Sequence, residues 1–213
     1  MASRLILVRH GQTDYNYAGR IQGASDIPLN EAGLAQARAV GESLAGDKGI
    51  TAVYSSTLGR AMATAEAIAA PHGLEVSSDA RLRERGFGDW EGLTREEIEK
   101  GWPLEFALWR AGVSSGLEKA RVEHRADVAR RFDAACREFS DRHETGTVVV
   151  VAHGAAISLG LSAMIGAGQG DFYGLASMGN CHRAVVEVRR AREGAGWVRL
   201  TSLNLPPDFA AAQ

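Results

Sequence analysis

Short apolar runs alternate with longer amphipathic segments along the chain, and this alternation is typical of an α/β fold. The apolar runs predict β-strands at 4–8, 51–56, 74–78, 147–152, 183–190 and 197–204. The helical patterns lie at 30–46, 57–73, 125–141 and 155–166. We therefore expect a three-layer sandwich with a mostly parallel central sheet, helices on both faces and a small helical cap.

The helix predicted over 30–46 has the clearest beginning and buried face. Asn30 is a favourable N-cap, because its side chain can accept a hydrogen bond from a free N–H of the first turn. The positions expected to face the core are Leu34, Ala37, Gly41 and Leu44.

The middle of the chain predicts the cap. Thr94 and Glu97 form a capping-box pattern, so a short helix should begin there. The stretch from Trp102 to about Leu117 is irregular and rich in tryptophan, and we expect it to belong to the same cap. We therefore predict one domain over 1–213, with a cap-like insertion at about 94–122.

Composition narrows the class of protein. The chain has 213 residues, 45% hydrophobic, and a formal net charge of -2, which fits a soluble globular protein without an expected nucleic-acid or membrane partner. Cys136 and Cys181 lie far apart and form no CxxC pair, which favours reduced thiols in the cytoplasm. The apolar run at 5–8 is too short for a signal peptide, and no run is long enough to span a bilayer.

Two of the predicted strands, "LILVRHG" and "VVVVAHG", end in His-Gly. Ligands of open α/β sheets bind beyond the carboxyl ends of the strands, so His10 and His153 would face each other there if the strands are neighbours. A lone histidine at a strand end is as often a surface residue as a functional one, but the repeated context argues for function. The other histidines lack this context: His72, His124, His143 and His182.

Arginine completes a predicted pocket for a dianion. Arg9 precedes His10, and Arg60 begins the helix that follows "VYSSTLG". Guanidinium groups bind phosphate oxygens through paired donors, and N–H groups at helix N-termini favour anions. The chain lacks HExxH, a DxD-type cluster, GxxxxGK[ST] and GxSxG, so we expect no metal and no cofactor. The remaining candidate reaction for this pocket is phosphoryl transfer by histidine itself.

These residues resemble the histidine phosphatase superfamily, which has the phosphoglycerate mutase-like fold. The similar segments, in the family's order, are "LVRHGQTDYN", "SSTLGRAMATAE", "LRERGFGDWEG" and "VAHG". The resemblance implies that His10 forms a phosphohistidine and that Glu84 is the general acid and base. It also implies that Arg9, Arg60 and a protonated His153 stabilise the transferring phosphoryl group.

Further substrate contacts follow from the same resemblance and from the strand ends. Asn16 and Gln22 match polar phosphate- or substrate-binding positions of the family, and we expect contacts from Gly11, Gly23, Gly154 and Ala155. At least one of Arg83 and Arg85 should point away from Glu84. The implied substrate is a small phosphorylated metabolite.

Three functions remain open at this point. The short chain and the loop "ERGFGDWEGLT" favour a phosphatase, and "RHGQTDYN", "GDWEGLT" and "MGN" resemble glucosyl-phosphoglycerate phosphatases. The alternatives are a cofactor-dependent phosphoglycerate mutase and a non-catalytic protein that binds phosphorylated ligands.

Val122-Glu123-His124 departs from the Gly-Glu-Ser of many family phosphatases. The segment "MGNCHRAVVEV" and the last strands could form a homodimer edge.

Overall fold

A six-stranded mixed sheet forms the centre of the computed structural model, which describes residues 2–113, 115–143, 145–189 and 197–207. The strands are β1 (Ala2–Arg9), β2 (Ile50–Ser55), β3 (Val76–Ser78), β4 (Thr147–Ala152), β5 (Arg183–Arg189) and β6 (Trp197–Leu205). Their order is β3-β2-β4-β1-β5-β6. The pairs among β1 to β4 are parallel, whereas β5 pairs antiparallel with both β1 and β6, so the predicted mostly parallel sandwich is confirmed.

Helices cover both faces of this sheet. The helices of the described residues are α1 (Asp14–Tyr17), α2 (Glu31–Leu44), α3 (Gly59–Ala69), α4 (Arg95–Gly101), α5 (Pro103–Arg110), α6 (Arg125–Arg142) and α7 (Gly154–Met164). Short 3₁₀ turns lie at Ala70–His72, Ala80–Leu82, Gly88–Trp90 and Glu118–Ala120. Helices α2 and α3 pack on one face, and α6 and α7 pack on the other. No helix in the described part of the chain is both long and apolar enough to cross a membrane.

The pairing of β1 with β4 positions the two His-Gly segments. Both strands are buried on both faces, since Leu5 and Leu7 pack toward α6 and α7, whereas Ile6 and Val8 pack toward α2 and α3. The parallel register pairs Arg9 with Ala152. The residues that follow, His10 and His153, therefore leave the sheet side by side.

The cap has its own small apolar core around Phe87, Trp90 and Phe106. The capping box predicted at Thr94 is present at the start of α4. The expectation of an irregular stretch after Trp102 was wrong, because α5 begins directly at Pro103. Proline is well suited to the first turn of a helix, where no partner for its missing N–H is needed.

Two other expectations also differ from the structure. Leu34 is exposed, and the buried face of α2 is rotated to Gly33, Ala37, Val40, Gly41 and Leu44. The segment 178–188 gives no free sheet edge, because β5 lies between β1 and β6, whereas β6 itself lies at an edge of the sheet, so a homodimer edge there stays a prediction. The predicted turn before β6 and the last residues of the tail lie outside the described residues.

A close backbone contact joins the loop after β1 to α2. A Cβ atom on Gly33 would lie 2.0 Å from the carbonyl oxygen of Gln12, whereas a Cβ atom on Gly46 would meet open space. We expect Gly33→Ala to lower the free energy of unfolding by about 1–3 kcal/mol, because backbone must shift to admit the methyl group. Gly46→Ala is the matched control and should be close to neutral. Urea unfolding measures both, and equal stability of the two variants would contradict the contact.

Candidate active site

His10 lies buried at the end of β1 with one ring nitrogen fixed by the backbone. Its Nδ1 lies 2.6 Å from the carbonyl oxygen of Gly11. A carbonyl only accepts, so Nδ1 carries the proton and Nε2 is left unprotonated in the neutral ring. Burial lowers the pKa of His10 well below its usual 6.5, and the charges of Arg60 and Arg9 lower it further. His10 is therefore a neutral imidazole with a free lone pair, as a nucleophile requires.

His153 is the second buried imidazole, and its ring centroid lies 5.1 Å from that of His10. Its Nε2 lies 2.8 Å from the Ser56 hydroxyl, and its buried Nδ1 has no partner among the described residues. Burial lowers the pKa of His153 well below 6.5, and the adjacent His10 ring and the charge of Arg60 lower it further. His153 is therefore neutral in the free site, and a protonated His153 during phosphoryl transfer stays a prediction.

Arg9 and Arg60 are held by backbone carbonyls rather than by carboxylates. Arg9 donates to the carbonyl of Met178 at 2.6 Å, and Arg60 donates to those of Ser25 at 2.6 Å and Gly23 at 2.8 Å. The Nε atoms of both arginines are buried without a partner among the described residues. Burial lowers the pKa of each guanidinium, but both keep their charge at neutral pH. Glu84 lies close enough for its charge to oppose the effect of burial on both pKa values, but no hydrogen bond joins it to either guanidinium among the described residues.

Glu84 reaches the same place from the acid loop, which we define as residues 81–86. Its carboxylate accepts hydrogen bonds from the N–H groups of Ala155 at 3.2 Å and Ala156 at 2.9 Å, in the first turn of α7. The anion expected at this helix N-terminus is thus supplied by the protein's own acid in this state. Of its two neighbours, Arg83 is exposed and points away, whereas Arg85 is buried.

A clamp from α6 holds the acid loop, and it was missed from the sequence. Arg131 donates to the carbonyls of Arg81 and Arg83, both at 2.7 Å, and to that of Glu84 at 3.2 Å. The carboxylate of Glu123 pairs with the same guanidinium at 3.0 Å. Arg131 is one of several arginines in an amphipathic helix, and nothing in its spacing distinguishes it from a solvated one.

Two amides line the cavity with their oxygens already engaged. The Oδ1 of Asn16 accepts from Asn180 at 3.1 Å and lies 3.3 Å from the backbone nitrogen of Thr13. The Oε1 of Gln22 accepts from the Thr13 hydroxyl at 2.9 Å. Each amide therefore keeps its NH₂ group for a ligand, which fits an anion. No sequence signal distinguishes Thr13 as a site residue, and Asn180 is distinguished only as part of "MGN".

The predicted backbone contacts divide into two groups. Gly23, Gly154 and Ala155 line the cavity. Gly11 does not: its N–H donates to Thr64 at 3.1 Å and its carbonyl binds His10. Gly11 is therefore placed to hold the imidazole of His10 rather than to contact the substrate, because both of its backbone groups are already hydrogen-bonded.

The cavity has a volume of about 510 Å³ and an unusual charge balance. Its lining contains one carboxylate, Glu84, and the six arginines Arg9, Arg20, Arg60, Arg85, Arg95 and Arg125. Among residues 2–113, 115–143, 145–189 and 197–207, no group of three or more His, Cys, Asp or Glu side chains could hold a metal ion. The positive charge of this site comes from guanidinium groups, which suits a phosphate dianion.

The buried neutral histidines make stability depend on pH. Below about pH 6.5 histidine side chains of the unfolded chain become protonated, whereas His10 and His153 of the folded protein stay neutral. The free energy of unfolding therefore falls as pH falls, by up to about 1.4 kcal/mol per pH unit for each imidazole. His10→Gln should flatten this dependence in urea unfolding between about pH 7 and 5.5, whereas exposed His124→Gln should not. An unchanged slope in His10→Gln would show that His10 is charged in the folded protein.

Solved structures share this fold over nearly the whole chain. A mycobacterial glucosyl-3-phosphoglycerate phosphatase complexed with VO3 matches with a TM-score of 0.86 and 34% identity, covering 95% of this chain and 99% of that one. A phosphoserine phosphatase from Entamoeba histolytica, in complex with phosphoserine, matches with a TM-score of 0.79 and 28% identity, covering 95% of this chain and 96% of that one.

Curated sequences agree with the structures. Glucosyl-3-phosphoglycerate phosphatase from Mycobacterium tuberculosis is 37% identical over 187 residues, which cover 84% of this chain and 82% of that protein. Phosphoglycerate mutase-like protein 4 from Arabidopsis thaliana is 38% identical over 156 residues, which cover 73% of this chain and 68% of that protein. The family profile of the histidine phosphatase superfamily (branch 1) matches residues 5–201. Since these matches span most of the sequence, the chain belongs to the histidine phosphatase superfamily.

Proposed function

We propose that this enzyme is a phosphomonoesterase that transfers the phosphoryl group of a small phosphorylated metabolite to His10 and then to water, without a metal ion. One observation carries the proposal: a neutral His10, with Nδ1 bound to Gly11, shares one cavity with the guanidinium groups of Arg9 and Arg60, which are held by backbone carbonyls. This arrangement provides a nucleophile and fixed positive charge at the same point.

In the first step, Nε2 of His10 attacks phosphorus and the bond from phosphorus to the ester oxygen breaks. Arg9 and Arg60 bind the non-bridging oxygens, whose charge is spread over the transferring group. Glu84, a carboxylate in the free site, must carry a proton in the substrate complex, and it gives that proton to the departing alcohol. A bound dianion also favours a proton on His153, so the substrate itself would supply the charge that this imidazole lacks in the free site.

In the second step, water takes the phosphoryl group from the phosphohistidine. Glu84, left as a carboxylate by the first step, accepts a proton from that water while the bond from Nε2 to phosphorus breaks. Inorganic phosphate leaves, and His10 returns to its neutral form. The clamp from Arg131 keeps Glu84 in place for both steps, because it fixes the carbonyls on either side of the acid.

The names of the relatives favour hydrolysis, in which water takes the phosphoryl group, over a mutase reaction, in which the phosphoryl group returns to the bound intermediate. The two solved structures cited above are named as phosphatases, for glucosyl-3-phosphoglycerate and phosphoserine, although several curated relatives carry phosphoglycerate mutase names. A mutase assay run beside phosphate release separates the two activities. A non-catalytic binding protein would not need a nucleophile and an acid facing one cavity.

We also propose a cytoplasmic location, because Cys136 and Cys181 are free and buried.

The nucleophile can be tested by trapping the intermediate. The purified enzyme should release p-nitrophenol and phosphate from p-nitrophenyl phosphate in the presence of EDTA, and rapid quenching should retain an acid-labile phosphate label on the protein. His10→Ala should abolish both signals, whereas exposed His124→Ala should keep them. A persisting label in His10→Ala would place the nucleophile elsewhere, and complete loss of activity with EDTA would overturn the metal-free mechanism.

The role of Glu84 can be tested with two leaving groups. Glu84→Gln should slow hydrolysis of an alkyl phosphate by about 10²–10⁴-fold, because an alkoxide leaves poorly without a proton. With p-nitrophenyl phosphate the first step needs less help, so the variant should release one equivalent of p-nitrophenol in a burst and then stall. Exposed Glu99→Gln is the control and should behave like the unmodified enzyme. Equal losses in the rate of the first step for both substrates would remove Glu84 from the acid role.

A further inference from the structure

The carboxylate of Glu91 lies behind the loop at 23–25, outside the lining of the cavity. It accepts four hydrogen bonds, from the backbone N–H groups of Phe87 at 3.0 Å, Ala24 at 2.9 Å and Ser25 at 3.0 Å, and from the Ser25 hydroxyl at 2.7 Å. Hydrogen bonds to an ionised acceptor are strong, so this carboxylate holds the backbone of the loop firmly.

One peptide group connects Glu91 to Arg60. The N–H of the peptide between Gly23 and Ala24 donates to Glu91, and the carbonyl of the same peptide accepts from Arg60 at 2.8 Å. Ser25 repeats the pattern, since its N–H donates to Glu91 and its carbonyl accepts from Arg60 at 2.6 Å. The loop therefore lies between an anion on one side and a cation on the other, and the hydrogen bonds on the two sides strengthen one another.

Glu91 packs directly against Gly23. The φ of Gly23 is +55°, which glycine adopts readily, and a Cβ atom there would lie 2.1 Å from Oε1 of Glu91. The missing side chain therefore lets the carboxylate reach the N–H of Ala24. Among the described residues, no hydrogen bond or salt bridge joins Glu91 to Arg60 directly, so the connection between the two charges runs through the backbone.

Three carboxylates act on the charge of Arg60, and they do so from different places. Burial lowers the pKa of Arg60, and the charges of Glu84, Asp26 and Glu91 oppose that effect. Glu84 lines the cavity, and Asp26 accepts a hydrogen bond from the N–H of Gly59 at 2.8 Å, at the start of α3. Glu91, in contrast, binds the peptide groups that hold the guanidinium of Arg60.

We infer that Glu91 is a positioning residue for the phosphate site: through the loop at 23–25, it fixes the direction in which Arg60 presents its N–H groups to phosphate. This role rests on the proposed function and extends it to a residue outside the cavity. Paired hydrogen bonds from a guanidinium to phosphate depend on direction, so a small shift of Arg60 weakens them.

Binding of inorganic phosphate distinguishes positioning from simple electrostatics. In Glu91→Gln the new NH₂ group must face a backbone N–H, so the loop and Arg60 should shift, and calorimetry should show phosphate binding weakened by about 10-fold. Removing a negative charge without any shift would instead strengthen phosphate binding. Asp47→Asn is the matched control: its carboxylate accepts the N–H of Gly49 at 3.0 Å, outside the cavity lining, and the variant should bind phosphate like the unmodified enzyme.

The same substitution in an Arg60→Lys background tests the route of the effect. Lysine keeps the positive charge but lacks the fork that binds both carbonyls, so Glu91→Gln should change phosphate affinity there by less than about twofold. An undiminished loss in this background overturns the positioning role, as does an unchanged or tighter affinity in Glu91→Gln alone. If Glu91→Gln fails to fold, Glu91→Asp decides, because its carboxylate is one methylene too short to hold the loop: weaker phosphate binding supports the role, and unchanged binding overturns it.

Failure of the proposed function gives a different result. An unmodified enzyme that binds phosphate but does not hydrolyse p-nitrophenyl phosphate overturns the proposed function, whereas the phosphate affinities of the Glu91 variants still decide the positioning role, because calorimetry requires no turnover. Hydrolysis by the unmodified enzyme together with unchanged phosphate affinity in Glu91→Gln overturns the positioning role alone.

Discussion

The site depends on positive charge that is buried on backbone carbonyls. Met178, Ser25 and Gly23 satisfy the N–H groups of Arg9 and Arg60 without cancelling their charge, as a carboxylate would. Burial makes protonation of His10 unfavourable and that charge adds to the effect, so the imidazole keeps its lone pair. The same charge attracts a phosphate dianion. Nucleophile activation and phosphate binding therefore share one physical cause, the charge of Arg9 and Arg60.

Much of the fold follows from short apolar runs and the residues that end them. Strands buried on both faces read as continuous Val, Ile and Leu, and β1 and β4 both do so. Because ligands of open α/β sheets lie beyond the carboxyl ends of the strands, His10 and His153 could be paired before the structure was known. Arg60 was identified by its place after the end of a predicted strand, whereas Glu84 was found through resemblance to the family.

Other parts of the site were not predictable because they depend on long-range contacts. The link between Glu84 and the first turn of α7 joins residues more than seventy positions apart, and no local pattern specifies it. The neutral state of His153 depends on burial and summed charge, which a sequence does not display. Helix α5 was missed because tryptophans and a proline hide its period, although its cap cluster is well packed.

Helix α6 carries two arginines with separate tasks. Arg131 sets the position of the acid loop, and Arg125, which lines the cavity, begins the same helix six residues earlier, an axial rise of about 9 Å. A helix packed on the sheet is far stiffer than a loop, so the distance between the acid loop and the Arg125 wall of the cavity is held by the scaffold. The acid at Glu84 and that wall are therefore positioned by one rigid element.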